Sequence, residues 1–326
     1  MIREKLIPGA VCAMLCTAAA GCFTGVESTP RISLSDVKKQ QAAGATPEQQ
    51  LLADLAPEPP SRWLPGRRLR VDDDKIGLAL TAASAPTAGL TGHDIAFESA
   101  TPAVSLTGTD ATEFTFHRAD AHSEKYYYQT PVEISALDTL AALSVPFTID
   151  LEMVERIDSL LRGRRLYVKT PAWYDPADER RACVGLRHVP VIVDSVVAGT
   201  SNYPAAVLFT VEEPDRCNAV CPSSKPQQRM VYMTVGRSRA ATRNFDVLFA
   251  FENPRKSYPE IKDDVWELIV RSRVQTAMSR DECRLALGAP PSVLRTPTYG
   301  GMREIWQYSD GVYLVFDDGY LSNFRL

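Results

Sequence analysis

The chain lacks the marks of most catalytic classes. Its 326 residues contain no Gly-x-Gly-x-x-Gly and no Gly-x4-Gly-Lys-Ser/Thr, so no phosphate-cradling loop is indicated. His-Glu-x-x-His and Gly-x-Ser-x-Gly are missing too, which removes the metalloprotease helix and the nucleophile elbow. There is no excess of positive charge. Lys and Arg number 36 against 40 Asp and Glu, a net charge of -4, whereas nucleic-acid partners call for concentrated positive charge. No apolar run reaches the ~20 residues of a spanning helix. At 45% hydrophobic and 23% charged residues, the composition is that of a globular protein, not a collagen-like or disordered one. Length points to two or three domains at ~150 residues each.

What is present begins with an address. Arg3 and Lys5 open the chain, and Leu6 to Ala20 follows as fifteen uncharged residues, interrupted by Pro8-Gly9. A positive start, a short apolar run and small residues after it read as a signal peptide over residues 1–21. Ala19-Ala20-Gly21-Cys22 resembles the bacterial lipobox, in which lipid is joined to the Cys thiol and cleavage falls just before it; Ala19 stands where Leu is usual. Cys12 and Cys16 are poorer candidates, since bulky Val11 and Leu15 precede them. The resemblance implies a lipidated Cys22 carrying two or three acyl chains, palmitate among them. One chain binds a membrane reversibly, at ~0.8 kcal/mol per buried methylene, and two or more anchor it stably.

Beyond Cys22, four cysteines remain: Cys183, Cys217, Cys221 and Cys283. An exported chain meets a compartment in which four thiols can form two disulfides, and three pairings are open. Cys217 and Cys221 lie in a Pro- and Ser-rich stretch, 213–226, which reads as a loop that the pair could staple. A zinc site would ask for a second Cys or His pair. None of the four His (93, 117, 122 and 188) joins these cysteines in one, so disulfide or free thiol is favoured over metal, and no cofactor is indicated.

Residues 22–45 read as a lipid-anchored tether with a weak helical stretch at Asp36–Gln41. Thr46-Pro47-Glu48-Gln49 is a good helix start, and Pro57, Pro59 and Pro60 stop that helix. Leu64-Pro65-Gly66-Arg67-Arg68-Leu69-Arg70-Val71 then has a near copy 97 residues on, Leu161-Arg162-Gly163-Arg164-Arg165-Leu166-Tyr167-Val168, with six identities in eight. A helix over Asp150–Leu161 precedes the second copy, and a duplicated module is one reading of the pair, chance the other. After the first copy, Ile76–Leu80, Asp94–Phe97, Glu113–His117 and Tyr126–Thr130 read as strands. After the second, Val189–Val197, Ala206–Val211, Met230–Val235 and Asp246–Phe251 do. The expected fold class is mostly β with α+β character: two tandem β-rich modules, 46–147 and 148–258, and a third unit, 259–326. In length and in their Gly-then-strand start the two modules resemble SH3-like barrels.

The last unit is the most legible. Ile261–Val274 reads as a helix with Val265, Leu268 and Ile269 on one side. Ser279-Arg280-Asp281-Glu282 is a capping box for a second helix, which Gly288 and Pro290-Pro291 end. Three strands follow, Glu304–Tyr308, Val312–Phe316 and Tyr320–Phe324, separated by Asp310-Gly311 and Asp318-Gly319, strong hairpin signals. The pattern Met278-Ser279-x-x-Glu282-Cys283, Leu287-Gly288-x-Pro290, Glu304-x-Trp306-x-Tyr308 and Tyr313-x-Val315-Phe316 resembles the SmpA/OmlA family of BamE-like lipoproteins; Ala277 stands where Gly is usual. The resemblance implies an αα-βββ module on an outer-membrane lipoprotein that faces the periplasm and supports β-barrel assembly.

Other candidates for chemistry are weak. Cys183 lies five residues from His188, but a turn intervenes and Pro190 follows, and a structural Cys is the better reading. Asp72-Asp73-Asp74 lacks the spaced ligands of a calcium loop. Tyr126-Tyr127-Tyr128 offers at most two rings to one face, and core packing accounts for it. Trp306, Tyr308 and Tyr313 are candidates for partner binding, since aromatics dominate interfaces, with packing on the helices as the plainer account. No catalytic residue is expected. The sequence reads as a non-catalytic envelope lipoprotein, held to a membrane by its N-terminal lipid and binding another envelope protein, without nucleic acid. The alternative is a surface-exposed glycan- or ligand-binding lipoprotein. Phe23-Thr24-Gly25-Val26 lacks the acidic cluster that some bacteria use for outward export, which favours the periplasmic side.

Overall fold

The computed structural model describes residues 46–326 apart from 56, 83–85, 106, 140–143, 224, 226, 236–242 and 300. The signal segment 1–21, Cys22 and the tether 22–45 lie outside the described residues. Those described are mostly β, in three antiparallel sheets with short helices between and upon them. No helix among the described residues is long and apolar enough to cross a membrane.

A helix α1 (Pro47–Asp54) comes first. The first sheet holds β1 (Arg68–Val71), β2 (Thr81–Ala82), β3 (Asp94–Val104), β4 (Asp110–Arg118), β5 (Ala121–Thr130) and β6 (Thr148–Asp150), in the order β2-β5-β4-β3-β1-β6. Strand β1 and most of β4 alternate as half-buried strands do. Phe97, Phe114, Phe116 and Tyr126 turn inward with Trp63, and the Trp63 and Phe97 rings meet edge-on at 5.7 Å.

Helix α2 (Leu151–Leu161) follows, capped by the Asp150 carboxylate, which accepts from Met153 N at 3.3 Å. The second sheet holds β7 (Arg165–Val168), β8 (Ala172–Asp175), β9 (Asp178–Val184), β10 (Val189–Ala198), β11 (Ala205–Val211), β12 (Gln228–Met233) and β13 (Phe249–Ala250). Short helices α3 (Pro214–Asn218) and α4 (Phe245–Leu248) flank β12. The order is β13-β7-β10-β11-β12-β8-β9. With β9 set aside, both sheets read second-fifth-fourth-third-first-sixth.

The octapeptide repeat sits at the same place in each. Gly66 and Gly163 adopt φ of +94° and +75°, where a Cβ is disfavoured, and open β1 and β7. Gly66 N donates to Phe97 O and Phe97 N to Arg67 O, both at 2.8 Å. Gly163 N donates to Val193 O at 2.8 Å and Val193 N to Arg164 O at 3.0 Å. A bulge follows each of these partners, between Phe97 and Ser99 and between Val193 and Ser195. The repeat thus marks two copies of one strand arrangement.

Elements cross the expected segment limits. Leu51 of α1 and Leu55 just after it pack into the core of the second sheet, and Glu48 accepts from Phe251 N at 2.8 Å. β6, just past residue 147, closes the first sheet by pairing with β1. Two expected strands differ: Asp74–Leu78 is a 3-10 turn, and of Asp246–Phe251 the part up to Leu248 belongs to α4 while Phe249–Ala250 is the short strand β13. At the first, the Asp73 carboxylate accepts from Lys75 N at 2.9 Å, a local bond that favours a turn over a ladder.

The third unit contains α5 (Asp263–Val270), shorter than the expected Ile261–Val274, and α6 (Arg280–Leu287). The capping box is formed: Ser279 Oγ accepts from Glu282 N at 3.2 Å, and Glu282 accepts from Ser279 N at 2.6 Å. Four strands follow, not three: β14 (Ser292–Thr298), β15 (Gly301–Gln307), β16 (Tyr313–Asp317) and β17 (Tyr320–Arg325), in sequential order. β14 pairs along its whole length with β15, from Ser292 opposite Gln307 to Thr298 opposite Gly301. All seven of its residues are exposed, so it carries no apolar alternation to announce it.

Candidate functional site: the open sheet of the C-terminal unit

The sheet β14–β17 has one covered and one open face. On the covered face Trp306, Leu314, Phe316 and Leu321 pack beneath α5 and α6. Trp306 is 1% exposed, and its Nε1 donates to Glu304 at 3.1 Å. Glu304 is buried beside it and also meets Arg295 at 3.2 Å and Arg280 at 3.3 Å. Burial alone would raise this carboxyl, but the hydrogen bonds from Trp306 and Arg295 and the charge of Arg280 outweigh it and hold it below its ordinary value. Tyr308 points the same way. It donates from its hydroxyl to Gly288 O at 3.0 Å, and burial pushes that hydroxyl up to about 12.

Trp306 and Tyr308, two of the three aromatics singled out for partner contact, are therefore packing residues. Strand alternation puts them on the helix side. Tyr313 lies on the opposite side, next to Leu314, which is fully buried. The open face carries a row set by strand register, Leu294, Ile305 and Val315, and Leu294 is 54% exposed. An exposed ion pair, Arg303 to Asp317 at 2.7 Å, borders the row. Sequence reasoning missed this row because Leu294 belongs to the strand it missed.

A second feature is a polar cleft of about 640 Å³ between the second sheet and the C-terminal helices. Glu48, Lys169, His188, Asp246, Glu252 and Tyr258 are among its lining residues. Lys169 Nζ donates to the Asp246 carbonyl, and burial lowers its amine below the ordinary range. His188 Nε2 donates to Leu285 O at 3.1 Å, which leaves Nδ1 as a bare acceptor. Nδ1 is buried without a hydrogen-bond partner. Burial, with smaller contributions from Arg187 and Lys169, drops this imidazole to about 4, so the ring is neutral at pH 7. His188 also sits at φ +59°, a strained conformation for a residue with a Cβ.

The remaining candidates resolve into structural roles. Cys183 is bonded to Cys221, 38 residues away, which removes it as a nucleophile beside His188. Of the three pairings left open, the staple between Cys217 and Cys221 is not formed; Cys217 and Cys283 are free and buried. Asp73 accepts from Lys75 N at 2.9 Å and fixes a turn, while Asp72 accepts from Ser201 N at 2.7 Å and Asp74 from Thr91, which ties them to other segments. Tyr126 is a core residue, and Tyr128 packs against the same core. His117 and His122 stack at 4.4 Å, but no group of three or more His, Cys, Asp or Glu able to hold a metal occurs among the described residues. No family model matches the chain, and no curated protein matches it.

Proposed function

We propose that the chain is a non-catalytic envelope lipoprotein, anchored by lipid at Cys22 and acting as a protein-binding scaffold at the outer membrane on the periplasmic side. The observation that carries the reading is the C-terminal sheet, whose helices cover one face and leave Leu294, Ile305, Val315 and Tyr313 on the other. A contiguous apolar row rimmed by polar residues is what a protein contact requires. Two helices followed by an antiparallel meander is also the order that the SmpA/OmlA resemblance implies; β14 is an addition to it. The likeness of the two repeated modules to SH3-like barrels belongs to this proposal and rests on their length and Gly-then-strand start. Confinement to a membrane raises the effective concentration of a partner there.

Crosslinking in cells followed by pull-down tests it. The expected result is an envelope protein recovered with the wild-type chain and reduced with Cys22→Ser. A native polypeptide that begins elsewhere than Cys22, or carries no lipid mass, removes the anchor from the reading. A ligand-binding lipoprotein is the second reading, and the polar cleft with its half-buried Lys169 and buried His188 favours it. Protease added to intact cells separates the two: a periplasmic scaffold survives, and a surface-exposed binder is cut.

A further inference from the structure

The edge of β14 is unpaired among the described residues, because the sheet order begins with it. In an antiparallel pair the residues alternate between those whose N–H and C=O bond the neighbour and those whose groups point away. Pro297 has no N–H and is tolerated where that group would face solvent. The residues of its parity, Val293 and Arg295, then turn both backbone groups to the open edge. The two-residue connection between Thr298 and Gly301 gives the same parity, since the pair closing such a hairpin is a hydrogen-bonded one. Pro297 can accept from an added strand but cannot donate to it, so the free ladder is short and spans Ser292 to Thr296.

The side chains along this ladder specify what fits. Leu294 lies on the open face beside Ile305. Arg295 lies on the helix face, 66% exposed along its side chain, where it and Arg280 share one carboxylate, Glu304. Two guanidinium groups against one carboxylate leave net positive charge at the edge. A residue directly opposite in an added strand shares the face of its partner. The best-matched strand therefore sets an acidic residue opposite Arg295 and apolar residues opposite Leu294 and Val293.

We propose that β14 is a strand-addition site that takes a short, extended, acidic-apolar segment of another protein in antiparallel pairing. The proposal rests on the scaffold reading above and names how that same surface recognises its partner. Main-chain bonds would supply affinity and the Arg295 contact selectivity.

The test uses the full chain and two labelled, end-capped pentapeptides, Thr-Glu-Val-Val-Thr and Thr-Lys-Val-Val-Thr, followed by fluorescence anisotropy. The expected result is at least tenfold tighter binding of the Glu peptide, and a reversed preference in Arg295→Glu. Val293→Pro removes an outward N–H that β15 does not use, so it weakens the Glu peptide at least tenfold while the thermal midpoint stays put. Equal binding of both peptides, wild-type binding by Val293→Pro, or no binding at about 1 mM peptide overturns the proposal. A concentration-dependent dimer abolished by Val293→Pro assigns the edge to a second copy and also overturns it. The two readings fail separately. If wild type and Val293→Pro recover the same envelope protein, the scaffold stands and the edge site falls. If wild type recovers none above Cys22→Ser, the scaffold reading itself falls.

Discussion

His188 is the residue on which solution conditions act most directly. Its folded-state ring protonates near 4, against an ordinary value of 6.5. The unfolded chain takes up a proton near pH 6.5 that the folded chain refuses until about pH 4. Stability that is full above 6.5 is therefore lost as pH falls through this window, by about 3 kcal/mol for a shift of this size. Chemical denaturation of wild type and His188→Gln at pH 7 and pH 4 should show that loss in the wild type and not in the variant. The cysteines make a second residue-level case. Burial pushes Cys217 up to about 11 and Cys283 up to about 12. Neither thiol should react with iodoacetamide at pH 8 in the folded chain, and both should react on unfolding. Cys183→Ser opens a loop of 38 residues and should lower stability by about 3–4 kcal/mol in the same denaturation assay. The sequence exposed the four cysteines and could not pair them, because pairing depends on where β9 and the segment after α3 come to lie.

Among the elements, the repeated Gly-Arg-Arg-Leu turn decides how each module starts. A Cβ at Gly66 or Gly163 meets nothing within 4 Å, so the cost of Ala there is backbone strain alone. Gly66→Ala and Gly163→Ala should each destabilise by about 1–2 kcal/mol, with the same sign and similar size at both sites. Unequal losses would argue against equivalent turns. The local signals of the C-terminal unit were legible: Ser279 and Glu282 cap α6, and Asp318-Gly319 joins β16 to β17. β14 was not, because an exposed edge strand has no buried side to leave a period in the sequence. Asp246–Phe251 misled for the opposite reason. Phe245, Leu248 and Phe249 are all buried, and a short run of buried residues reads equally as strand or helix.

At the scale of the whole molecule, the chain doubles back on itself. Helix α1 precedes the first sheet, yet Leu55 is 2% exposed within the core of the second. Leu55→Ala should cost about 2–5 kcal/mol, and amide exchange should quicken first in α4 and β13, against which α1 lies, not in β3 and β4. Exchange that quickens in the first sheet instead would break this account. Helix α2 links the sheets by another route. Its start carries Asp150 and Glu152, which meet the buried Arg67 of the first repeat, and Met153 to Leu161 pack into the second core. Arg67 is 3% exposed and also pairs with Glu58 at 2.9 Å. Removing it would leave carboxylates facing one another beneath Trp63. The sequence by itself determined what contiguous residues can fix: helix caps, two-residue turns, most strands, the repeated turn and the mostly β class. Those signals act within a few residues of their own position. Only the tertiary structure decided the partner of Cys183, the core that α1 joins, the strand that lies outermost, and the sides that Trp306 and Tyr313 face. Each of these depends on packing between segments tens to hundreds of residues apart, and no local pattern records which distant surface a segment will meet.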